Sequence, residues 1–494
     1  MKIGGLDIGT TGCKLTVFDE TGRELDRAYQ AYASVRGRGT DEIDAEEIRT
    51  AVFHVLREIG SRQKDIAGIG VTSFGETFVL TDDSGKPLHP ALLYTDPHGE
   101  KQRKQLEERL GTGTIERIAG VKPHEMYSLP KIMWLAEEKP ELFRQAKHIF
   151  LIEDFVVYAL TGRAQIDYSL AARTMGFDIH DCCWSREIFA AAGIDVGLMS
   201  EPVPSGTKAG TLLPSAAQAA GLSPETVIVS AAHDQISAAV GAGAFTSDIA
   251  VDGAGTVECL TPVYDGVPDP GVMSAGSFAV VPYVIPGKYV CYAFSYTGGA
   301  LIDWCVKTFA EKEKRLAKEA GCSVNTWLEQ HSEGPTGLLV LPHFAGAATP
   351  YMDNGSRGAV LGLTLGTTTA ELYRACMEGV AYEMRLNMEF LAPSGIRSRM
   401  LHATGGGAHS AVWMQMKADI LNLPMTALQT ADAGTAGGAM LTGTALGIWK
   451  NPEEAAGQLV KKCEVYTPDP VMHERYSAVY ERYRRMYEAV RPLM

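Results

Sequence analysis

Two short stretches of this chain, almost half its length apart, share one pattern: an apolar run, an aspartate, a tight turn of small residues, and a second apolar run. In the first, Ile3-Gly4-Gly5-Leu6-Asp7-Ile8 leads through Gly9-Thr10-Thr11-Gly12 into the run Lys14–Asp19. In the second, Ile249-Ala250-Val251-Asp252 leads through Gly253-Ala254-Gly255-Thr256 into Val257-Glu258-Cys259-Leu260. Each reads as a β-hairpin whose turn carries only small side chains and hydroxyls. Asp7 and Asp252 stand 245 positions apart (252 − 7) in a chain of 494 residues. A duplicated domain is therefore predicted, each half opening with a hairpin whose turn points toward the other. A chain of this length exceeds one ordinary core. The division is expected where the stretch Gly241–Ala244 ends, giving units 1–246 and 247–494.

Charge removes several classes of partner. Lys and Arg number 45 against 59 Asp and Glu, a formal charge of −14. No basic stripe offsets it, because Arg103 and Lys104 are interleaved with glutamates. Such a surface repels phosphate backbones and anionic lipid, so neither nucleic acid nor membrane is expected as a partner. A small anion remains compatible, since backbone N–H groups in loops hold one without net positive charge. The nine cysteines follow no repeated spacing, which predicts reduced thiols and no metal knuckle. The first residues enter a strand pattern at once, and the most apolar region, 277–294, is interrupted by Pro282, Pro286, Gly287 and Lys288. Neither a signal peptide nor a membrane-spanning helix is expected, and a cytoplasmic location is.

Between the hairpins, a strand is predicted near 25–33 and a helix from the cap residue Asp44, with apolar positions Ile48, Val52, Val55, Leu56 and Ile59. Strands at 66–72 and 77–80 and helices near 100–110, 128–138 and 150–160 follow. After the second hairpin, helical patterns run over 299–320, 367–391, 408–422 and 470–491.

The chain contains no G-x-x-x-x-G-K-[S/T], no G-x-G-x-x-G between strand and helix, no H-E-x-x-H and no G-x-S-x-G. P-loop, Rossmann, zinc-hydrolase and α/β-hydrolase sites lose their support. In the first turn, Gly9 and Gly12 let the backbone approach a ligand, Thr10 and Thr11 add donors, and successive N–H groups can cradle a phosphoryl group. Asp7 stands where it could hold a hydrated Mg²⁺, which takes only one or two carboxylates, and Lys14 could supply a cation. An ordinary hairpin turn fits the same residues. The matching turn at 253–256 tips the balance, because clamping an oligophosphate from both sides needs two facing turns. The segment His402-Ala403-Thr404-Gly405-Gly406-Gly407-Ala408 lies between an apolar run and an amphipathic helix; its three glycines leave a flat backbone surface for a planar base, although a flexible connector reads the same way.

Taken in order along essentially the whole chain, these segments resemble the FGGY carbohydrate kinases (xylulokinase- and glycerol kinase-like), a family within the actin-like ATPase fold. Leu6–Thr11 is similar to its first phosphate motif, Gly255-Thr256 to its second, and Gly405–Ser410 with Trp413, Gln415, Ala418 and Asp419 to its adenosine motif. Arg357–Leu363 followed by Glu378–Tyr382 is similar to its C-terminal signature. The resemblance implies an α/β fold of two actin-like (ribonuclease H-like) domains around a nucleotide and sugar cleft. The first would carry sugar binding and the first phosphate motif, the second ATP binding. It implies ATP and Mg²⁺ as cofactors, Asp234 as general base, and Asp7 as the metal-positioning acid. Gly9, Thr10, Thr11, Lys14, Gly255, Thr256, Gly299, Asp303, Gly406, Gly407 and Ser410 would hold the nucleotide. Asp252 enters as a second candidate for metal or water. Gly75, Glu76, Asp96, Asp234 and Gln235 would hold the sugar, with Phe74 or Tyr94 stacking on its C–H face and Met126 forming a wall.

The sugar pocket departs from the better-known relatives. Glycerol kinases carry Arg-Glu where Gly75-Glu76 stands, xylulose kinases usually carry Met-His-Gly there, and the family's Trp-x-Asp-x-Arg becomes Tyr94-Thr95-Asp96-Pro97-His98. Losing both arginines argues against simple glycerol kinase activity. The expected activity is transfer of the ATP γ-phosphate to a hydroxyl of a ketose such as xylulose or another pentulose or deoxyhexulose. The competing readings are another polyol or gluconate kinase of the family and an actin- or chaperone-like ATPase acting on a protein. A homodimer is the candidate assembly, with the oligomeric state left open by the sequence.

Overall fold

The computed structural model describes residues 1–37, 39–429 and 432–494. The first hairpin forms as expected: β1 (Lys2–Ile8) pairs antiparallel with β2 (Gly12–Asp19), which pairs with β3 (Glu24–Ala31). Helix α1 (Ala45–Arg62) starts at Asp44, whose side chain accepts from the Glu46 N–H, and it buries Ile48, Val52, Val55, Leu56 and Ile59 against the sheet. Strand β4 (Ile66–Ser73) lies parallel to β1 on its other side. Strands β5 (Thr207–Thr211) and β6 (Val227–His233) complete the sheet in the order β5-β6-β4-β1-β2-β3, with β5 antiparallel to its neighbour. Helix α2 (Asp234–Gly241) leaves the end of β6 directly.

The second half repeats this path. Strands β7 (Ile249–Ala254) and β8 (Glu258–Asp265) form the second hairpin. After α3 (Gly299–Phe309) and α4 (Thr369–Leu391), β9 (Met400–Thr404) pairs parallel with β7. Helix α5 (Ala411–Leu421) leads to β10 (Met425–Leu428), parallel to β9. Then come α6 (Ala433–Ala445) and the antiparallel edge strand β11 (Lys462–Tyr466). The order β11-β10-β9-β7-β8 followed by Lys288–Cys291 matches the six strands of the first sheet, and this second sheet adds Val280–Pro282 beyond Lys288–Cys291 and Ala293–Ser295 beside β8.

Two long helical patterns are shorter than expected. The 299–320 pattern breaks at Ala310 into Gly299–Phe309 and Glu311–Glu319, and the 470–491 pattern breaks into Pro470–Tyr483 and Met486–Val490. Several helices have no counterpart in the expected patterns, among them Thr112–Ala119, Arg186–Ala192, Pro214–Ala220, α2, Val324–Gln330, Pro452–Leu459 and α6. Helix α6 follows a strand of the second sheet yet packs on the first sheet and on α2. Its face of Gly, Ala and Thr carries no apolar stripe of the usual period. It works by close approach instead: a Cβ on Gly437 would lie 1.8 Å from the Ser237 carbonyl oxygen, and one on Gly5 would lie 1.9 Å from that of Thr435. Among the described residues, no helix is long and apolar enough to cross a membrane.

Candidate active site

The ends of β1, β6 and α6 meet at one edge of the first sheet. Asp7 is the next-to-last residue of β1 and sits opposite Lys14 in the hairpin register. The turn between them is held by the Gly9 N–H donating to the Gly12 carbonyl (3.0 Å) and by the Tyr32 hydroxyl donating to the Gly9 carbonyl. Lys14 Nζ lies 3.3 Å from Asp7 Oδ2 and 2.7 Å from Asp432 Oδ2. Asp432 caps α6, accepting from the Thr435 N–H at 3.2 Å. Burial pushes the Asp7 carboxyl up despite Lys14 beside it, with Asp432 adding to the rise. Burial works against the Lys14 charge, but Asp7 and Asp432 outweigh it and hold the ammonium up. The sequence offers Lys14 as a cation for the nucleotide; in this structure its charge is engaged by two carboxylates, one from each half.

The second turn is built by convergence of three glycine-bearing segments. The Gly298 N–H donates to the Thr256 carbonyl (2.9 Å), and the Gly299 N–H donates to that of Gly255 (2.8 Å). Gly405, with φ +85°, presses on the Ala254 carbonyl so closely that a Cβ would lie 2.5 Å from its oxygen. Gly255, Thr256, Gly299, Gly406 and Gly407 are thus brought into one region, and Gly406 has open space where a side chain would stand. Ser410 is otherwise employed: its hydroxyl accepts from the Trp413 N–H, capping α5, and donates to Glu329 Oε1 at 2.8 Å. Asp303 lies one turn into α3 on an exposed face. Asp252 is not free for metal or water. It is buried with Lys417 Nζ 2.8 Å from its Oδ2, and Lys417 also pairs with buried Glu258.

Asp234 opens α2, next to the first turn. Its side chain keeps 28% of its surface open, yet Oδ1 accepts no hydrogen bond among the described residues. Burial, with the charges of Asp7 and Glu76, pushes its carboxyl up to about 8. His233 is structural: its N–H donates to Ser169 Oγ (2.8 Å), its Nδ1 pairs with the Tyr292 hydroxyl (3.0 Å), and burial beside Arg173 holds the ring neutral. Gln235 follows in the first turn of α2, half-buried.

Glu76 stands at φ +62°, a strained position for a side chain of its size, with the Ser128 hydroxyl donating to its carbonyl at 2.7 Å. Its carboxylate receives Arg173 Nε at 2.6 Å and pairs with Nη2 as well. Arg173 lies between the rings of Tyr127 (5.1 Å) and Tyr292 (5.2 Å). Asp96 corrects the expectation of a sugar acceptor. Its side chain has no exposed surface, and its oxygens accept from the Asp41 N–H (2.8 Å), the Thr40 hydroxyl (3.2 Å) and the His98 N–H (3.0 Å), with His98 Nδ1 at 2.7 Å. A buried carboxylate must be satisfied by its surroundings, and here that use ties two loops together. Phe74 is buried in the core and unavailable for stacking, whereas Tyr94 is half-buried within the field of Glu76 and Asp234. Met126 packs on the core from a half-buried position.

The profile described as FGGY family of carbohydrate kinases, N-terminal domain, matches residues 2–241, and that of the C-terminal domain matches 260–446. The chain belongs to the FGGY family of carbohydrate kinases. It is 27% identical to a xylulose kinase of Lactococcus lactis, over 98% of this chain and 96% of that one. It is 28% identical to a glycerol kinase of Oceanobacillus iheyensis, over 98% of this chain and 97% of that one. Among solved structures, a ligand-bound xylulose kinase from Lactobacillus acidophilus superposes with a TM-score of 0.90 at 23% identity, covering 99% and 98% of the two chains. A gluconate kinase from the same organism gives 0.89 at 22%, with the same coverage. The chain thus shares the fold of these solved sugar kinases over nearly its whole length. This FGGY kinase is therefore a phosphotransferase that uses ATP and acts on a sugar hydroxyl.

Arg173 and Asp432 were not found by sequence reasoning. Arg173 is the middle residue of the short helical turn Ala172–Thr174 after the four-residue helix Tyr168–Ala171, 97 positions from Glu76, and Asp432 precedes a helix with no amphipathic signature. The one available signal for Asp432 was an Asp three residues before Thr435, a cap pattern.

Proposed function

We propose that this FGGY kinase is a cytoplasmic enzyme that phosphorylates a small ketose, a pentulose such as xylulose or a deoxyhexulose, with Asp234 as general base and two lobes divided near 246/247 closing on the substrates. The observation that carries the reading is the Asp234 carboxyl: buried enough to be held near 8, with an oxygen accepting no bond, at the start of a helix beside the first turn. A base with a pKa near the working pH accepts a hydroxyl proton efficiently while the acceptor oxygen attacks. The turns 9–12 and 253–256 offer backbone N–H groups to the phosphates from either side, and the open space at Gly406 leaves room for the base of the nucleotide. Asp7, at the cleft edge beside the first turn, suits Mg²⁺, which takes one or two carboxylates and would neutralise charge on the phosphates. Glu76 presents its carboxylate to sugar hydroxyls from a strained, fixed backbone. Positioning supplies most of the rate in such a transfer, and exclusion of water on closure prevents hydrolysis.

Asp234→Asn tests this. Turnover should fall by on the order of 10²–10⁴ with ATP affinity retained, measured as acceptor-dependent ADP release over pentuloses, 6-deoxyhexuloses, gluconate and polyols. Near-normal acceptor-dependent release would remove Asp234 from the role. ADP release that ignores every acceptor would favour an ATPase acting on a protein.

A further inference from the structure

Two buried polar atoms in the acceptor region lack a hydrogen-bond partner among the described residues: Arg173 Nη1 and Asp234 Oδ1. One is a charged donor and the other an acceptor. They belong to one connected group. Arg173 packs on Tyr292, the Tyr292 hydroxyl bonds His233, and His233 Nε2 lies 3.2 Å from Asp234 Oδ1. A Cβ on Gly75 would stand 3.1 Å from the His233 ring and 3.2 Å from Arg173 Cγ, so both side chains flank that residue. Leaving a buried charged N–H without a partner is expensive, and evenly folded cores avoid it. The rest of this guanidinium is well used: Nε and Nη2 grip Glu76, and two tyrosine rings hold the plane. Arg173 is thus fixed along one edge and unsatisfied at the other.

We propose that Arg173 is an acceptor-binding residue, its Nη1 donating to an oxygen of an uncharged sugar whose neighbouring hydroxyl meets Asp234. The inference rests on the sugar kinase reading above and narrows its substrate class. Gly75 removes the side chain that would otherwise fill this corner, and a guanidinium from 97 residues downstream enters it beside Glu76. Charge then selects against an acid. Glu76 already neutralises Arg173, and Lys14 is held by Asp7 and Asp432, so the carboxylate of an aldonate would find no unengaged cation among these groups.

The test is calorimetric binding of xylulose, ribulose, glycerol and gluconate to the nucleotide-free protein, for wild type, Arg173→Lys and the pair Arg173→Met/Glu76→Gln. ADP release is measured in parallel on the wild type. Lysine keeps the charge opposite Glu76 but has no Nη1. The expected result is binding of a neutral acceptor by the wild type, weakened about 10- to 100-fold in Arg173→Lys with an unchanged thermal midpoint. Glu76→Gln alone is measured beside the double variant, because Glu76 is itself assigned to the sugar. If the lysine protein fails to fold, the double variant should bind a neutral acceptor about 10-fold or more weaker than Glu76→Gln does, and equal binding by those two overturns the inference. Equal binding by wild type and variants overturns the inference, as does a wild type that prefers gluconate or binds no neutral acceptor. Equal binding with acceptor-dependent ADP release leaves the kinase reading intact. Arginine-dependent binding without any ADP release removes the kinase reading and leaves the binding role.

Discussion

In the first hairpin the aspartate sits directly across the strand pair from a lysine, and both reach the edge of the cleft; in the second, Asp252 pairs with Leu260 and its carboxylate is walled in by Lys417 from α5. The strand order around the two hairpins is the same, so the difference lies in chemistry rather than backbone. Asp7 is one residue from the end of its strand and Asp252 two, which moves the second carboxylate a step away from the turn. Lys417, Asp252 and Glu258 are each no more than 2% exposed. Burial and the adjoining Asp252 push the Glu258 carboxyl well up, against the pull of Lys417. Asp252 Oδ1 and Glu258 Oε2 have no hydrogen-bond partner among the described residues. The second hairpin thus carries a buried ionic cluster that ties its two arms to α5, while the first carries a partly exposed one shared with Asp432. On the function proposed above, a duplicated backbone has kept one carboxylate for chemistry and turned the other into scaffold.

The comparison breaks most visibly in activity. Asp7→Asn should lower turnover on the order of 10²–10³-fold with an unchanged thermal midpoint, whereas Asp252→Asn should leave turnover within a few-fold. Steady-state ADP release on both variants decides it; equal losses would mean the two aspartates still share a role. Stability should show the reverse ranking. Lys417→Met leaves a buried carboxylate pair without its cation and should cost about 3–5 kcal/mol, read as a large fall in thermal midpoint. Lys14→Met removes a partly solvated ion pair worth about 1 kcal/mol or less. The triple variant Lys417→Met/Asp252→Asn/Glu258→Gln should recover much of the loss, since no charge is stranded. A triple variant no more stable than Lys417→Met would show that the triad contributes through packing and not through its charges.

The hairpins, α1 with its Asp44 cap and the meeting of Gly255, Thr256, Gly299, Gly406 and Gly407 were legible because each rests on local chemistry: turn composition, a capping side chain, apolar spacing. What escaped was decided by tertiary neighbours. Asp96 carries the residue type expected of a sugar ligand, but the Thr40–Asp41 loop and His98 occupy its oxygens. Ser410 belongs to the adenosine motif by position and to a helix cap by bonding. Helix α6 has weak intrinsic propensity, with four glycines among its thirteen residues; it is helical because backbone carbonyls of α2 and the first sheet accept nothing larger than its small residues. The arginine that pairs with Glu76 arrives from another segment, which spacing along the chain does not reveal.

The smallest expected effect is a shift in proton affinity. Asp234 is pushed up to about 8 by burial first and then by Asp7, while Asp252 adds its charge to Glu258 and not to Asp234. A base acts in its deprotonated form, so kcat/KM should rise with pH and level off above about 8. Removing the Asp7 charge favours the ionised form of its neighbour. In a carboxyl ¹³C titration of the nucleotide-free protein, assigned through Asp234→Asn, the Asp234 midpoint should therefore move down in Asp7→Asn and stay in place in Asp252→Asn. A midpoint that moved in both would mean that the field of the second hairpin reaches the cleft through its buried triad, and the separation of chemistry from scaffold between the two halves would fail. A midpoint that moved in neither would leave burial and the Glu76 charge to hold the proton on Asp234, and the first hairpin would have no electrostatic hold on the base.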